Sequence, residues 1–144
     1  MYEGLSELPH FNPDLDEEGM TPPEPVGELR RIVVGSDAVV ISCPEYAHGV
    51  PGALKNLLDW LVSTGELVNK PVALLNASPS GGAHAQASLL ETLQTMNWTV
   101  VHAASLMEPF VGRKILHELT DEAALATLRE AMNALHQWLL DRTS

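Results

Sequence analysis

Cys43, Glu45, Tyr46 and His48 place a thiol, a carboxylate, a phenol and an imidazole close together in one short segment. The segment begins where the apolar run Ala38-Val39-Val40-Ile41 ends, and it passes through Pro44, Gly49, Pro51 and Gly52. Pro44 cannot donate a backbone hydrogen bond, so a strand stops there. The loop that follows is free to aim backbone N–H groups outward. A planar heterocycle bearing carbonyl and ring-nitrogen acceptors matches such a loop, and Tyr46 adds an aromatic face and a hydroxyl. A helix starting at Pro51-Gly52 adds positive potential at its N-terminus, which favours negative charge. An ordinary ligand-free turn between a strand and a helix accounts for the same residues.

A second set lies at Ser78, Pro79, Ser80, Gly81 and Gly82. It follows the apolar run Val72-Ala73-Leu74-Leu75, and its glycines permit close backbone approach to a ligand. His84 is within reach of it and reads as a solvent-facing capping residue. Other chemistries find little support. The six histidines (His10, His48, His84, His102, His117, His136) have no metal-ligand spacing, and Cys43 is the single cysteine. Cys43 at a strand end reads as a small core residue rather than a nucleophile activated by His48. Neither a nucleophile elbow nor a P-loop is present. No catalytic side chain and no metal ligand is therefore assigned.

The elements that position these residues alternate. A helix opens at Pro25, with Val26, Leu29, Ile32 and Val33 on one side, and ends at Gly35. The run 38–41 reads as a strand buried on both faces. The next helix has Pro51 at its first position, Leu54, Leu57, Leu58 and Leu61 on its apolar face, and Gly65 as its stop. Val72 to Leu75 form a second buried strand. A helix carrying Leu89, Leu93 and Met96 follows, then a strand over residues 99–103 and a loop over 109–113. The last helix starts near Thr120, with Asp121 and Glu122 suited to its positive end. Its core stripe is Leu125, Leu128, Met132, Leu135 and Leu139. Alternation of this kind predicts α/β architecture: a parallel sheet with helices on both faces and right-handed crossovers. Residues 1–25, with Pro13, Pro22, Pro23 and Pro25 and the acidic cluster 14–18, read as an extended acidic, proline-rich surface segment anchored by Leu5, Leu8 or Phe11. The whole of 1–144 reads as one domain.

Composition narrows the partners. Hydrophobic residues are 45% of the chain and charged residues 19%, an ordinary globular balance. The net charge is −11, from 8 lysines and arginines against 19 aspartates and glutamates. That sign disfavours nucleic acid and anionic membranes, and no apolar run is long enough to span a bilayer. A lone cysteine and no secretory signal point to the cytoplasm.

Pro44-Glu45-Tyr46 followed by Gly49-x-Pro51-Gly52-x-Leu54-Lys55-Asn56-x-x-Asp59 resembles the signature of the NAD(P)H-dependent FMN reductases, a branch of the flavodoxin-like fold. Ala47 stands where asparagine is common, and His48 follows. The resemblance implies an FMN-dependent oxidoreductase. Such an enzyme takes hydride from NADPH or NADH and passes it through flavin N5 to a small-molecule acceptor such as free flavin or a quinone. It implies that Pro44, Glu45, Tyr46, Ala47 and His48 contact the flavin ring, and that Ser78, Pro79, Ser80, Gly81 and Gly82 lie near the ring and the pyridine nucleotide. It also implies a homodimer or homotetramer through helix 54–61, with Trp60 adding contact area. Lys55 and Asp59 equally suit a simple i,i+4 ion pair.

The resemblance begins near Tyr2 and Leu8-Pro9, at what resembles the end of the family's second strand. The family's earlier strand, phosphate-holding Gly-Ser-x-Arg segment and helix have no counterpart, a gap of about 25–40 residues. Strand 38–41 is then expected to have an open edge. A longer chain, the folded-over N-terminal segment, or pairing of two chains would cover it. The rival expectation is a flavodoxin-like oligomer that binds FMN weakly or not at all and is not catalytically active.

Overall fold

The computed structural model describes residues 1–76, 78, 81–106 and 122–143. Pro79, Ser80, the loop 109–113, Thr120 and Asp121 lie outside the described residues.

The elements run α1 (Glu24–Val34), β1 (Val39–Cys43), α2 (Gly52–Leu61), β2 (Pro71–Asn76), α3 (Ala83–Thr95), β3 (Thr99–Val100) and α4 (Glu122–Thr143). Among the described residues the sheet has three strands in the order β1-β2-β3, all parallel. Val39 lies opposite Val72 and Cys43 opposite Asn76, while Pro71 lies opposite Thr99. The α/β architecture expected from the alternating runs is the one found.

Most of the apolar side chains are on one face of the sheet. Val26, Leu29 and Val33 of α1, Leu58, Trp60 and Leu61 of α2, and Leu89 and Leu93 of α3 bury against Ile41, Cys43, Val72 and Leu74. The other face is covered by α4, whose Leu135 packs with Ala73, Val101 and Ala104. The buried line of α4 is Ala124, Ala131 and Leu135. Leu125, Leu128, Met132 and Leu139, expected as its core stripe with Leu135, are only half-buried. Small residues on both helix and sheet make this contact, and the larger side chains flank it.

Three local expectations are corrected. The third strand is two residues long, not five, because a 3-10 turn at His102–Ala104 interrupts it. The ladder is continued by a side chain: Leu74 N–H donates to Ser105 Oγ at 3.0 Å. It resumes at Leu106, which accepts from Asn76 N–H and donates to Leu74 O, both at 2.8 Å. Pro51 is the N-cap of α2 rather than its first residue. That helix ends at Leu61, and Gly65 opens a 3-10 turn instead of stopping it.

The N-terminal segment has two 3-10 turns, Gly4–Ser6 and Pro13–Leu15, and it is fastened to α2. Asn56 Nδ2 and Trp60 Nε1 both donate to Pro9 O at 2.9 Å, and Phe11 N–H donates to Asn56 Oδ1 at 2.8 Å. Phe11 meets Trp60 edge-on, with ring centroids 5.0 Å apart. Arg30 ties Asp16 to the Trp60 carbonyl and to Ser63. Leu8 is the buried anchor, while Leu5 and Phe11 stay largely exposed. Trp60 is fully buried in this contact, so the expectation that it adds area between subunits is corrected.

Candidate functional site

β1 and β2 are parallel and end side by side, so the loops after them open at one carboxyl edge, where open α/β sheets bind ligands. After Pro44 the chain makes a tight hairpin. Tyr46 N–H donates to Gly49 O at 3.1 Å, and Gly49 N–H donates to Tyr46 O at 2.9 Å. The two residues between them, Ala47 and His48, have φ of 49° and 60°. Both central residues with positive φ define a tight reversal that side chains normally resist. Its tip directs Ala47 and His48 outward, and their backbone N–H groups make no hydrogen bond among the described residues. Tyr46, at the base of the reversal, is 67% exposed.

The second loop is shaped by a residue that sequence reasoning passed over. Asn76 is buried at the end of β2. Its Oδ1 accepts from Ser78 N–H at 3.0 Å, and its Nδ2 donates to Gly81 O at 2.7 Å. An asparagine at a strand end, just before a Ser/Pro/Gly loop, is the available signal for such a turn. Gly81 has φ of 115° with open space at its Cβ position. Gly82, the N-cap of α3, has φ of 67°, and a Cβ there would lie 2.8 Å from Ser78 Cβ and 2.9 Å from Asn76 Oδ1. Glycine is required at Gly82 on both counts.

The two loops are joined. Glu45 Oε2 accepts from Ala85 N–H at 2.9 Å, so a carboxylate from the first loop caps the positive end of α3. His48 and His84 stack, with ring centroids 4.5 Å apart and planes at 18°. His84, expected to face solvent alone, is thus half of an exposed aromatic pair. Of the expected site residues, Pro44, Glu45, Tyr46, Ala47, His48, Ser78, Gly81 and Gly82 fall on these two joined loops. Ser78 is buried as part of the scaffold, and Glu45 is turned towards α3.

Cys43 is buried, and its Sγ donates to Pro44 O at 3.2 Å. Burial, with help from the Glu45 charge, pushes its thiol pKa up. A protonated, enclosed thiol is a poor nucleophile. Among the described residues no group of histidine, cysteine and carboxylate side chains could hold a metal ion.

The arrangement suits one part of a flavin. Two backbone donors with no partner among the described residues, next in sequence to an exposed tyrosine, match the acceptors and the flat face of an isoalloxazine.

A parallel sheet between helical layers, with joined loops at its carboxyl edge, defines a flavodoxin-like α/β protein. The flavoenzyme NAD(P)H:(acceptor) oxidoreductase FerB from Paracoccus denitrificans shares the architecture at a TM-score of 0.76 and 29% identity, over 95% of this chain and 78% of that one. Residues 2–113 match the NADPH-dependent FMN reductase family, and the chain belongs to that family of oxidoreductases. Among curated relatives, the quinone reductase of Escherichia coli (strain K12) is 30% identical, over 94% of this chain and 75% of its own length. The NADPH azoreductase of Bacillus sp. (strain OY1-2) is 43% identical, over 54% of this chain and 41% of its own length. Less than half of the azoreductase and three quarters of the quinone reductase are thus represented in the chain.

Proposed function

We propose that this chain binds FMN at the joined loops and acts as an NAD(P)H-dependent reductase of quinones or comparable small acceptors. The observation that carries the reading is the pairing of two loops at one sheet edge, with Ala47 and His48 N–H groups that have no partner among the described residues and an exposed Tyr46 before them. Family membership and the quinone reductase relative support the substrate class.

Bound FMN supplies the hydride chemistry, and the chain supplies placement. Tyr46 covers the ring, and Ala47 and His48 donate to its acceptors. Pro44 and Glu45 fix the first loop. Ser78, Gly81 and Gly82, with Pro79 and Ser80, form the second wall, where the nicotinamide of NADPH or NADH approaches. Titration of the purified chain with FMN, followed by flavin fluorescence quenching, tests this reading. Saturable binding below about 100 μM, together with flavin-dependent NADPH oxidation in the presence of a quinone, is the expected result. Absence of quenching at that concentration overturns it and leaves the weakly binding or non-binding, non-catalytic form.

A homodimer or homotetramer through α2 belongs to the same proposal. Val62 and Val68, 60% and 52% exposed beyond the end of that helix, support it. So does the outward position of Ala53 and Lys55. The lone Cys43 thiol supports the cytoplasm as the compartment. No helix among the described residues is long and apolar enough to cross a membrane.

A further inference from the structure

The tip of the first loop is strained. Ala47 and His48 take φ of 49° and 60°, the left-handed region in which a Cβ is crowded. Asn-Gly and similar pairs are the usual centre of such a two-residue reversal, and Ala-His stands here. Backbone of this kind persists only where its surroundings hold it. The paired hydrogen bonds between Tyr46 and Gly49 close the base of the reversal. They engage the two flanking residues, not the two at the tip.

The tip is held from α3. Among the described residues no hydrogen bond joins Ala47 or His48 to another element. The His48 ring instead lies on the His84 ring, centroids 4.5 Å apart and planes at 18°. Both residues are exposed, so this is a surface stack and not core packing. His84 is the second residue of α3, and the chain on either side of it is fixed. Before it, Gly82 is buried against Ser78 and Asn76. After it, Ala85 is buried and donates its N–H to Glu45 Oε2. An aromatic pair contributes a free energy of the same order as the cost of one residue in the left-handed region.

We propose that His84 is a positioning residue for the flavin site. Its ring, carried on the fixed start of α3, holds His48 and with it the left-handed backbone of Ala47 and His48. Both N–H groups then stand outward before a ligand arrives, which lowers the ordering cost of binding. The inference rests on the flavin reading for its consequence, tighter FMN binding, and on the ligand-free chain for its geometry. Direct contact between the His84 ring and the flavin is a different role. That role survives removal of the His48 ring, whereas positioning through the stack does not.

The test is a double-mutant cycle on the whole chain. Intraresidue HN–Hα NOEs of Ala47 and His48, strong where φ is positive, read the backbone without FMN, and flavin fluorescence quenching reads the Kd. The unaltered chain is expected to show both strong NOEs. His84→Ala is expected to lose them, to raise the FMN Kd about fivefold, and to keep its thermal midpoint, since both rings are exposed. His84→Phe keeps a stacking ring and is expected to restore the NOEs, and the Kd to within about twofold. In a His48→Ala background, His84→Ala is expected to leave the Kd unchanged. If His84→Ala does not fold, His84→Gln serves in its place. Strong NOEs retained in the non-aromatic variant overturn the proposal. So does a loss of affinity that persists without the His48 ring, or the absence of rescue by phenylalanine. No quenching by the unaltered chain overturns the flavin reading and with it the binding consequence, and the NOEs decide the positioning of the backbone in either case.

Discussion

Glu45 shows how a single side chain can join two loops that lie far apart in the chain. Its carboxylate sits on Ala85 N–H at the start of α3, forty residues along the chain. A carboxylate there satisfies an orphan donor and complements the helix dipole. Glu45→Ala is expected to lower stability by about 1 kcal/mol and to weaken FMN binding by loosening one loop from the other. Glu45→Gln keeps an oxygen acceptor and is expected to lose less of both. A urea titration of each variant, with flavin quenching on the same samples, checks this. The placement of Tyr46, Gly81 and Gly82 on two loops at one sheet edge was legible in the sequence. The direction of Glu45 was not, because a partner so far away in sequence is fixed only by the fold. The His48–His84 stack has the same origin: each histidine alone suggests nothing about the other.

At the scale of elements, the strands announced themselves. Val72-Ala73-Leu74-Leu75 is an aliphatic run without alternation, and it is buried on both faces as expected. Val39-Val40-Ile41 reads the same way in the sequence, but Val40 is 43% exposed, so the expectation that this strand is buried on both faces is corrected. The third strand misled because Val100, Val101 and Ala103 are apolar whether or not the backbone stays extended. What broke the ladder was a polar substitution in the pairing itself, with Ser105 Oγ standing in for a backbone carbonyl. The N-terminal segment gave a similar lesson. Its prolines and carboxylates describe an irregular surface stretch correctly but conceal that α2 holds it through Asn56 and Trp60. Trp60→Ala is expected to cost about 3–5 kcal/mol, the range for deleting a buried large aromatic. Trp60→Phe, which keeps the packing and loses the N–H donor to Pro9 O, is expected to cost about 1 kcal/mol. Chemical denaturation midpoints measured by tryptophan-independent circular dichroism separate the two.

For the whole molecule, the layers are unequal. Three helices cover one face of the sheet and one covers the other among the described residues. Counting strands led to the expectation of an open edge on strand 38–41, whereas the unequal helical layers were not expected. The strongly negative charge keeps copies apart in general, so an oligomer needs an apolar contact to overcome the repulsion. If α2 and the residues after it provide that contact, light scattering should give a mass two or four times that of the protomer. Val62→Glu should then shift the population towards the protomer. A protomer mass for the unaltered chain at micromolar concentration would remove α2 as an assembly surface.

Asn56 and Trp60 recur to a wider point through their common acceptor, the Pro9 carbonyl. Asn56 belongs to the stretch by which the chain is recognised as a flavin reductase, yet its hydrogen bonds fasten a distant piece of backbone. At that position the side chain holds the N-terminal segment to α2, a role that can be kept whatever molecule the chain reduces.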